Sequence, residues 1–269
     1  MLRNVFLKSL HDVRRAVLWW SIGLVSYVAL IVGMWPTVRD NPAIAKLHET
    51  YPEELQAFIS FGGAFDFGTP AGYLGAELFS LMVPLLLLVA AIGAGARALA
   101  GEEERGTLEL LLANPVSRTR LALEKLAALS AEVAALAAVL FVALVVGCAA
   151  AGMDVSTSGL ASATFGALLL ALANGSIAFA LGAATGHGAL AIGLSAAAAV
   201  AAYLVNGLAP LVDAINSIRW LSPFYHYVAG DPLREGLSLP HAAVLVAIGV
   251  VAVAVGVAAF DRRDVGVSK

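Results

Sequence analysis

GEEERGTLELLLANPVSRTRLALEK, residues 101–125, is the stretch of sequence that decides the architecture. Three carboxylates and an arginine open a short helical segment, the Asn114-Pro115 pair ends it, and a basic helix follows. Apolar stretches long enough to cross a bilayer lie on both sides. Linkers are built from Gly, Ser or Pro, whereas this stretch carries a tight cluster of leucines. The pattern predicts a structured, charged hairpin between two membrane helices, on which a water-soluble partner could push.

The composition predicts that the solvent of this chain is lipid. Of its 269 residues, 60% are hydrophobic and 13% are charged, against roughly 45–50% and about 25% in soluble domains. A domain of this size exposes too much surface to hide that excess in a core. The net charge of −3 and the lack of a basic stripe with interleaved aromatic residues predict no nucleic-acid partner. Cys148 is the single cysteine, so the chain has no internal disulfide framework.

Six segments contain the roughly 20 apolar residues that a helix needs to cross a bilayer core of about 30 Å. They are residues 16–35, 73–99, 127–151, 160–184, 189–211 and 241–260. We therefore predict an all-α integral membrane protein with six transmembrane helices, which forms one transmembrane domain over residues 1–269.

Lys and Arg are distributed unevenly between the two sides of these spans. Twelve of the 16 lie in the N-terminal tail, in the loop after span two and in the C-terminal tail. The other side holds Arg39, Lys46, Arg219 and Arg234. Because cytoplasmic loops carry the excess of positive charge, both termini and the 101–125 hairpin are predicted to be cytoplasmic.

Three further segments have patterns of their own. Residues 1–15 place apolar and basic side chains on opposite helical faces, which predicts an amphipathic helix in the membrane interface; a merely charged tail is the alternative. The outer loop has possible helix starts at Asn41-Pro42 and Tyr51-Pro52. Residues 212–240 are too apolar for a solvated loop, and Ser222-Pro223 and Asp231-Pro232 interrupt them. We predict short re-entrant or interfacial helices there.

The chain lacks the sequence motifs of common enzymes. It contains no phosphate-binding Gly-Lys loop, no His-Glu-x-x-His zinc motif and no Gly-x-Ser-x-Gly elbow. We therefore expect no catalytic residue, no metal site and no bound cofactor in this chain.

A few polar side chains fall inside the spans. Acidic side chains there are functional candidates, although Glu77 and Glu132 lie near span ends and can lean toward an interface. The candidates for a substrate path are Asn174, Ser176, Tyr203 and Asn206. Interhelical hydrogen bonding explains these four residues at least as well.

The hairpin resembles the cytoplasmic loop between spans two and three of ABC-2 type permeases, the membrane subunits of ATP-binding cassette exporters. The likeness rests on polar, glycine and proline positions that agree together, and it departs at Glu124, where the family often has glycine. It extends over the whole chain, including SPFYHYVAGDPLREG at residues 222–236. The matching hairpin residues are Glu103, Gly106, Thr107, Glu109, Leu111, Leu112, Pro115, Val116, Ser117, Arg118 and Lys125.

The resemblance implies a permease that works as a pair, with a second copy or a homologous permease. Each permease would dock on a cytoplasmic ATPase subunit, which would hold the ATP and Mg²⁺. Residues 102–114 would form the coupling helix that transmits closure of the ATPases to the spans. The coupling residues implied are Glu102, Glu103, Glu104, Arg105, Gly106, Thr107, Glu109, Leu111, Leu112, Pro115 and Arg118.

The near absence of charge on most spans predicts an apolar or amphipathic substrate, moved out of the cytoplasm or the inner leaflet. Twelve Arg against four Lys, with abundant Ala, Gly and Val, are typical of a GC-rich bacterial genome, so we expect a bacterial inner or plasma membrane. The alternative is a stand-alone secondary transporter or another multi-span membrane protein. A secondary transporter predicts paired acids or broken helices at the bilayer midplane, and neither is evident in the sequence.

Overall fold

The computed structural model describes residues 5–41, 67–113 and 116–263, except the side chain of Leu112. The predicted helix starts at Pro42 and at Tyr51-Pro52, and the predicted helix end at Asn114-Pro115, lie outside these residues. Within them the protein is helical and contains no strand.

Among the described residues, six long helices are apolar enough to cross a membrane, which confirms the predicted number of spans. The first span is α1 (Val5–Arg39), and the second consists of α2 (Pro70–Leu74), a π-helical turn (Gly75–Phe79) and α3 (Met82–Glu104). Spans three to six are α5 (Arg118–Ala150), α6 (Thr157–Thr185), α7 (Gly188–Leu208) and α10 (Leu239–Arg262). The short elements are α4 (Leu108–Leu112), α8 (Asp213–Asn216), a 3₁₀ turn (Arg219–Leu221) and α9 (Pro223–Val228).

Residues 5–15, which were predicted to form an interfacial amphipathic helix, belong to the same helix as the first span. Their position in the membrane interface stays a prediction. α1 runs without interruption from Val5 to Arg39. Residues 14–18 contain no Gly or Pro that would end a helix, and extending a helix is easier than nucleating a new one. At 1.5 Å per residue α1 is about 52 Å long, well beyond a bilayer core of about 30 Å. Its first turn is capped by Glu124 of α5, which accepts the Val5 N–H at 2.9 Å.

The centre of the fold is the close packing of α3 on α6. A Cβ at Gly95 of α3 would overlap the carbonyl oxygen of Gly175, and one at Gly182 would overlap that of Ala96. Small residues let membrane helices approach in this way. α10 packs on the far side of α6, α7 packs on α3 and α6, and α1 packs along α5. Span two, with the hairpin at its end, is therefore held in the middle of the molecule.

Span two is interrupted near its outer end, which the sequence analysis did not predict. The Ser80 N–H donates to the Gly75 carbonyl at 2.8 Å, the wider bonding of a π-helix, and α3 begins only at Met82. Pro84 explains the break, because a proline ring clashes with the carbonyl four residues earlier, here that of Ser80. Proline is tolerated in the first turn of a helix, and Pro84 lies in the first turn of α3.

Tyrosine hydroxyls satisfy backbone carbonyls around this interruption. Tyr27 of α1 donates to the Glu77 carbonyl at 3.1 Å, and Tyr227 of α9 donates to the Phe79 carbonyl at 2.9 Å. A carbonyl left without a donor in lipid costs several kcal/mol, so the two bonds make the break tolerable. Burial raises the pKa of Tyr227, which keeps its hydroxyl protonated as a donor.

Residues 212–240 form short helices, of which α9 is the most deeply packed. Ser222 caps α9, and its hydroxyl accepts the Phe224 N–H at 3.2 Å. Phe224 and Tyr227 are buried against α6, α7 and α10. Asp231 has a φ of 45°, so the chain turns sharply at the predicted Asp231-Pro232 break. Insertion of this segment into the outer leaflet remains a prediction.

Candidate functional site

The candidate site is the hairpin that joins span two to span three. α3 ends at Glu104, and the chain turns at Gly106, whose φ of 68° is a left-handed conformation that glycine adopts without strain. The five-residue α4 follows. Ser117 then caps α5, because its hydroxyl accepts the Arg120 N–H at 3.2 Å. The short helix α4 therefore lies between the end of span two at Glu104 and the capped start of span three at Ser117.

Glu102 lies inside the hairpin and braces it. Its carboxylate is 3% exposed and accepts a hydrogen bond from Lys125 Nζ of α5 at 2.6 Å. The Thr107 hydroxyl donates to the other carboxylate oxygen, and Arg105 approaches within 3.3 Å. Because Lys125 is itself buried, the two charges compensate each other where water cannot. The turn after α3 is thereby fixed to the start of span three.

Glu103 and Glu104 connect the hairpin to later spans. The Glu103 carboxylate pairs with Arg263, which directly follows α10. Glu104 accepts the Gly188 N–H at 2.8 Å. That N–H belongs to the first residue of α7, so Glu104 satisfies one of the free donors at the start of span five.

Arg118 connects the far arm of the hairpin to the last span. Its guanidinium donates to the carbonyls of Phe260 and Arg263 and lies over the Phe260 ring at 5.9 Å from the centroid. The last carbonyls of a helix lack partners within it, so Arg118 caps the C-terminal end of α10. Thr119 adds a hydrogen bond of 2.9 Å to Asp261.

The inner face of α4 is apolar and buried. Leu108 is 1% exposed and packs with Leu121 and Phe260, and Leu111 is partly buried against the same cluster. Leu108 and Leu111 are three residues apart and therefore lie on one face of the helix. The hairpin thus has a small hydrophobic core of its own beneath α4.

The outer face of the hairpin is exposed. It presents Arg105, Gly106, Glu109 and Leu110, and Leu110 is 69% exposed. Leu111 and Leu112 are the leucines among the predicted coupling residues, whereas Leu110, which is exposed here, is not among them. The sequence could have indicated this exposure. Leu108 and Leu111 are three residues apart and share one face of the helix, which places Leu110 on the opposite face. We call Arg105, Glu109 and Leu110 the hairpin tip.

The eleven residues predicted for ATPase coupling therefore divide into groups. Glu102 and Thr107 are bonded to each other inside the hairpin, and Glu103, Glu104 and Arg118 bind other spans. Arg105, Gly106 and Glu109 are exposed, and Leu111 is partly buried. Pro115 lies outside the described residues, as does the side chain of Leu112.

The four residues predicted for a substrate path are not brought together. Asn174 donates within its own helix to Leu170 at 2.9 Å, and Asn206 accepts from Arg219 Nε at 3.1 Å. Ser176 is buried on the face of α6 that meets Gly249 of α10. Of the four, Tyr203 lines an apolar groove of about 320 Å³ between α3 and α7. No cluster of His, Cys, Asp and Glu side chains in the described part of the chain could hold a metal ion.

A family model described as "ABC-2 family transporter protein" matches residues 3–265. The match covers the hairpin and all six long helices. No curated protein matches the chain.

Proposed function

The chain belongs to the ABC-2 transporter family, and we propose that it exports an apolar or amphipathic substrate while a cytoplasmic ATPase subunit drives it through the hairpin. Membership of the family makes it a membrane permease subunit of an ABC transporter and a multi-pass membrane protein. The direction of transport, the ATPase contact, the pairing of two permeases and a bacterial plasma membrane are parts of the proposal.

The observation that carries this proposal is the construction of the hairpin. Its charged residues at 102–104 and 118 bind inward, to span three and to the ends of spans five and six. Its tip stays exposed and combines a cation, an anion and a leucine. A small surface with an apolar centre and flanking charges is suited to a protein partner. Force applied at the tip would reach three spans through bonds that already exist.

The proposed cycle assigns ATP and Mg²⁺ to the partner subunit. When two ATPase subunits close on ATP, each carries the hairpin tip docked on it. The buried Glu102–Lys125 pair keeps the hairpin rigid, so the displacement passes to α3 and α5 and not into bending of the loop. The Glu103, Glu104 and Arg118 contacts pass it to α7 and α10.

We expect the purified chain neither to bind nor to hydrolyse ATP, because it contains no phosphate-binding loop. In proteoliposomes, transport of an amphipathic dye should require both ATP and a co-expressed ATPase subunit, which should co-purify with the chain. The control is the same ATPase with its catalytic carboxylate neutralised, which should assemble and not transport. ATP-independent transport driven by an ion gradient would instead support a stand-alone secondary transporter.

The cytoplasmic position of the hairpin is tested by thiol labelling in a Cys148→Ser background. Serine is close to cysteine in size, and in a helix its hydroxyl can donate to the carbonyl four residues earlier, so the replacement of the buried Cys148 should be tolerated. Ala113→Cys, on the exposed end of the hairpin, should react with a membrane-impermeant maleimide only after the membrane is opened. Thr157→Cys, exposed at the start of α6, should react from outside in intact cells. The opposite labelling pattern would invert the topology and refute an ATPase contact at the hairpin.

A further inference from the structure

A cleft separates α1 from α3 on the hairpin side of the molecule. α1 packs along α5, and it meets span two mainly around the π-helical turn near the other end. The cleft encloses about 520 Å³, and α5 forms its floor. This volume lies within the range of about 300–1,000 Å³ that is typical of small-molecule sites. Since α1 and α3 hardly touch there, the cleft also offers a lateral passage toward lipid.

A buried carboxylate lies on the floor of the cleft. Glu132 of α5 is 6% exposed and lines the cavity. Among the residues that the structure describes, none donates a hydrogen bond to its carboxylate. A buried carboxylate without a donor is costly, so this position is unfavourable unless something else supplies the bond.

Arg97 of α3 lines the same cavity from another wall. Its Nε donates to the Gly93 carbonyl at 3.0 Å, so the side chain folds back toward the middle of the span and away from the hairpin. An arginine that only sought water would extend toward the nearer helix end. The charges of Arg97 and Glu132 attract each other, yet the two groups form no ion pair within 4.0 Å. A positive and a negative group thus line one cavity without neutralising each other by contact.

The rest of the cavity wall fits an amphiphile. Glu102, Lys125 and Arg105 line it toward the hairpin, where both cations pair with Glu102. Lys8 and Asp12 of α1 also line it and contribute one charge of each sign. Trp20, Val89 and Leu129 make part of the wall apolar. Val89 is 51% exposed, so this apolar wall continues to the outer surface of span two.

We propose that this cleft binds the zwitterionic head group of a single-chain or double-chain amphiphile, with an ammonium group on Glu132 and a phosphate on Arg97. The hydrocarbon chain leaves between α1 and α3 into the inner leaflet. A purely anionic head group would leave Glu132 without a donor and place a second negative charge beside it. A purely cationic head group would satisfy Glu132 but repel Arg97. A zwitterion pairs its ammonium group with Glu132 and its phosphate with Arg97, and it adds no net charge to the buried site.

As a substrate site, the cleft rests on the proposed function, whereas binding can be measured on the full chain without an ATPase. Native mass spectrometry from uncharged maltoside micelles would compare myristoyl lysophosphatidylethanolamine with myristoyl lysophosphatidylglycerol, which has the same tail and phosphate but no ammonium. We expect the ethanolamine lipid to bind about tenfold tighter, the effect of one charge-assisted hydrogen bond. O-phosphoethanolamine, which lacks the tail, should bind at least about tenfold more weakly than the lipid.

Two variants test whether Glu132 and Arg97 cause the preference for the ethanolamine lipid. Glu132→Gln should weaken the ethanolamine lipid by about tenfold and leave the glycerol lipid unchanged, and Arg97→Gln should weaken both lipids. Glu77→Gln, a second acid of the span region that does not line the cleft, is the matched control and should change neither. Thermal unfolding in the same micelles verifies that each variant is folded.

Equal affinity of the two lipids in the parent chain, or a Glu132→Gln variant that keeps the preference, would overturn the proposal. Binding of O-phosphoethanolamine as tight as that of the lipid would overturn the amphiphile part of it. None of these outcomes bears on ATPase docking at the hairpin tip. Conversely, failure of docking would leave the lipid preference intact, so the two proposals can fail separately.

Discussion

Replacing Glu102 with Ala should destabilise the protein by about 3–5 kcal/mol, the cost of leaving one member of a buried ion pair without its partner. Lys125, whose side chain is 8% exposed, would lose the carboxylate at 2.6 Å. The Thr107 hydroxyl would lose its carboxylate acceptor and keep only the Glu102 backbone carbonyl, at 3.1 Å. We expect the damage to begin in the hairpin, because its turn is held by these bonds. The measurements are the free energy of unfolding in mixed micelles and hydrogen exchange of residues 105–118.

The matched comparisons for this variant are Glu109→Ala and a double variant. Glu109 is exposed on α4, so its replacement should change stability by no more than about 0.5 kcal/mol. Combining Glu102→Ala with Lys125→Met removes both buried charges and should recover a large part of the lost stability. If Glu102→Ala unfolds like the parent and its hairpin amides stay equally protected, the pair does not brace the hairpin.

Changes at the hairpin tip should abolish ATP-driven transport without unfolding the spans. Leu110→Asp and Glu109→Lys alter exposed side chains, so expression and thermal stability should stay near those of the parent. A central apolar contact in a protein interface is worth at least about 2 kcal/mol, so Leu110→Asp should weaken ATPase binding by about 30-fold. Co-purification of the ATPase and transport by the reconstituted complex are the two readouts.

Glu235→Lys is the charge-matched control for Glu109→Lys, because Glu235 is exposed in the outer segment on the other side of the predicted bilayer. It should leave assembly and transport unchanged. Leu111→Asp is less informative than Leu110→Asp, because Leu111 is partly buried in the cluster beneath α4 and its loss would also disturb the fold. Normal ATPase co-purification and transport by both tip variants would remove the basis for the coupling proposal.

The six spans could be predicted from the sequence because a bilayer imposes one minimum length on every apolar helix. The interruption of span two could not be found in this way, because the length criterion counts Gly75–Phe79, which contains Glu77, together with the long apolar stretch that follows it. Pro84 was the residue in the sequence that indicated the interruption. A hydropathy value does not register the clash between a proline ring and the carbonyl four residues earlier. Likewise, the change in polarity near residue 15 led to the prediction of an interfacial helix before span one. The backbone has no reason to stop there, and the two segments form one helix.

The position of the hairpin could be predicted from the sequence, but which of its side chains are exposed could not. Whether Glu102 is exposed depends on Lys125, which is brought beside it only when the hairpin closes. Glu104 meets Gly188 across 84 positions in sequence, a distance over which local pattern carries no information. The approach of Arg97 to Glu132 has the same origin, because neither residue shares a helix with the other. Tertiary contacts decided each of these environments.

The contacts of Glu103, Glu104 and Arg118 have a thermodynamic consequence for the whole complex. Glu104 ties the hairpin to the start of α7, and Glu103 and Arg118 tie it to the C-terminal end of α10. A bond of this kind is worth about 1 kcal/mol, so a state in which all three are broken is disfavoured by about 3 kcal/mol, a population ratio of about 150. Linkage makes such a bias reciprocal. In the proposed complex, an ATPase that binds only the hairpin with these bonds intact would lose affinity by up to that factor when spans five and six rearrange. The state of the permease would then alter ATPase binding before ATP is hydrolysed.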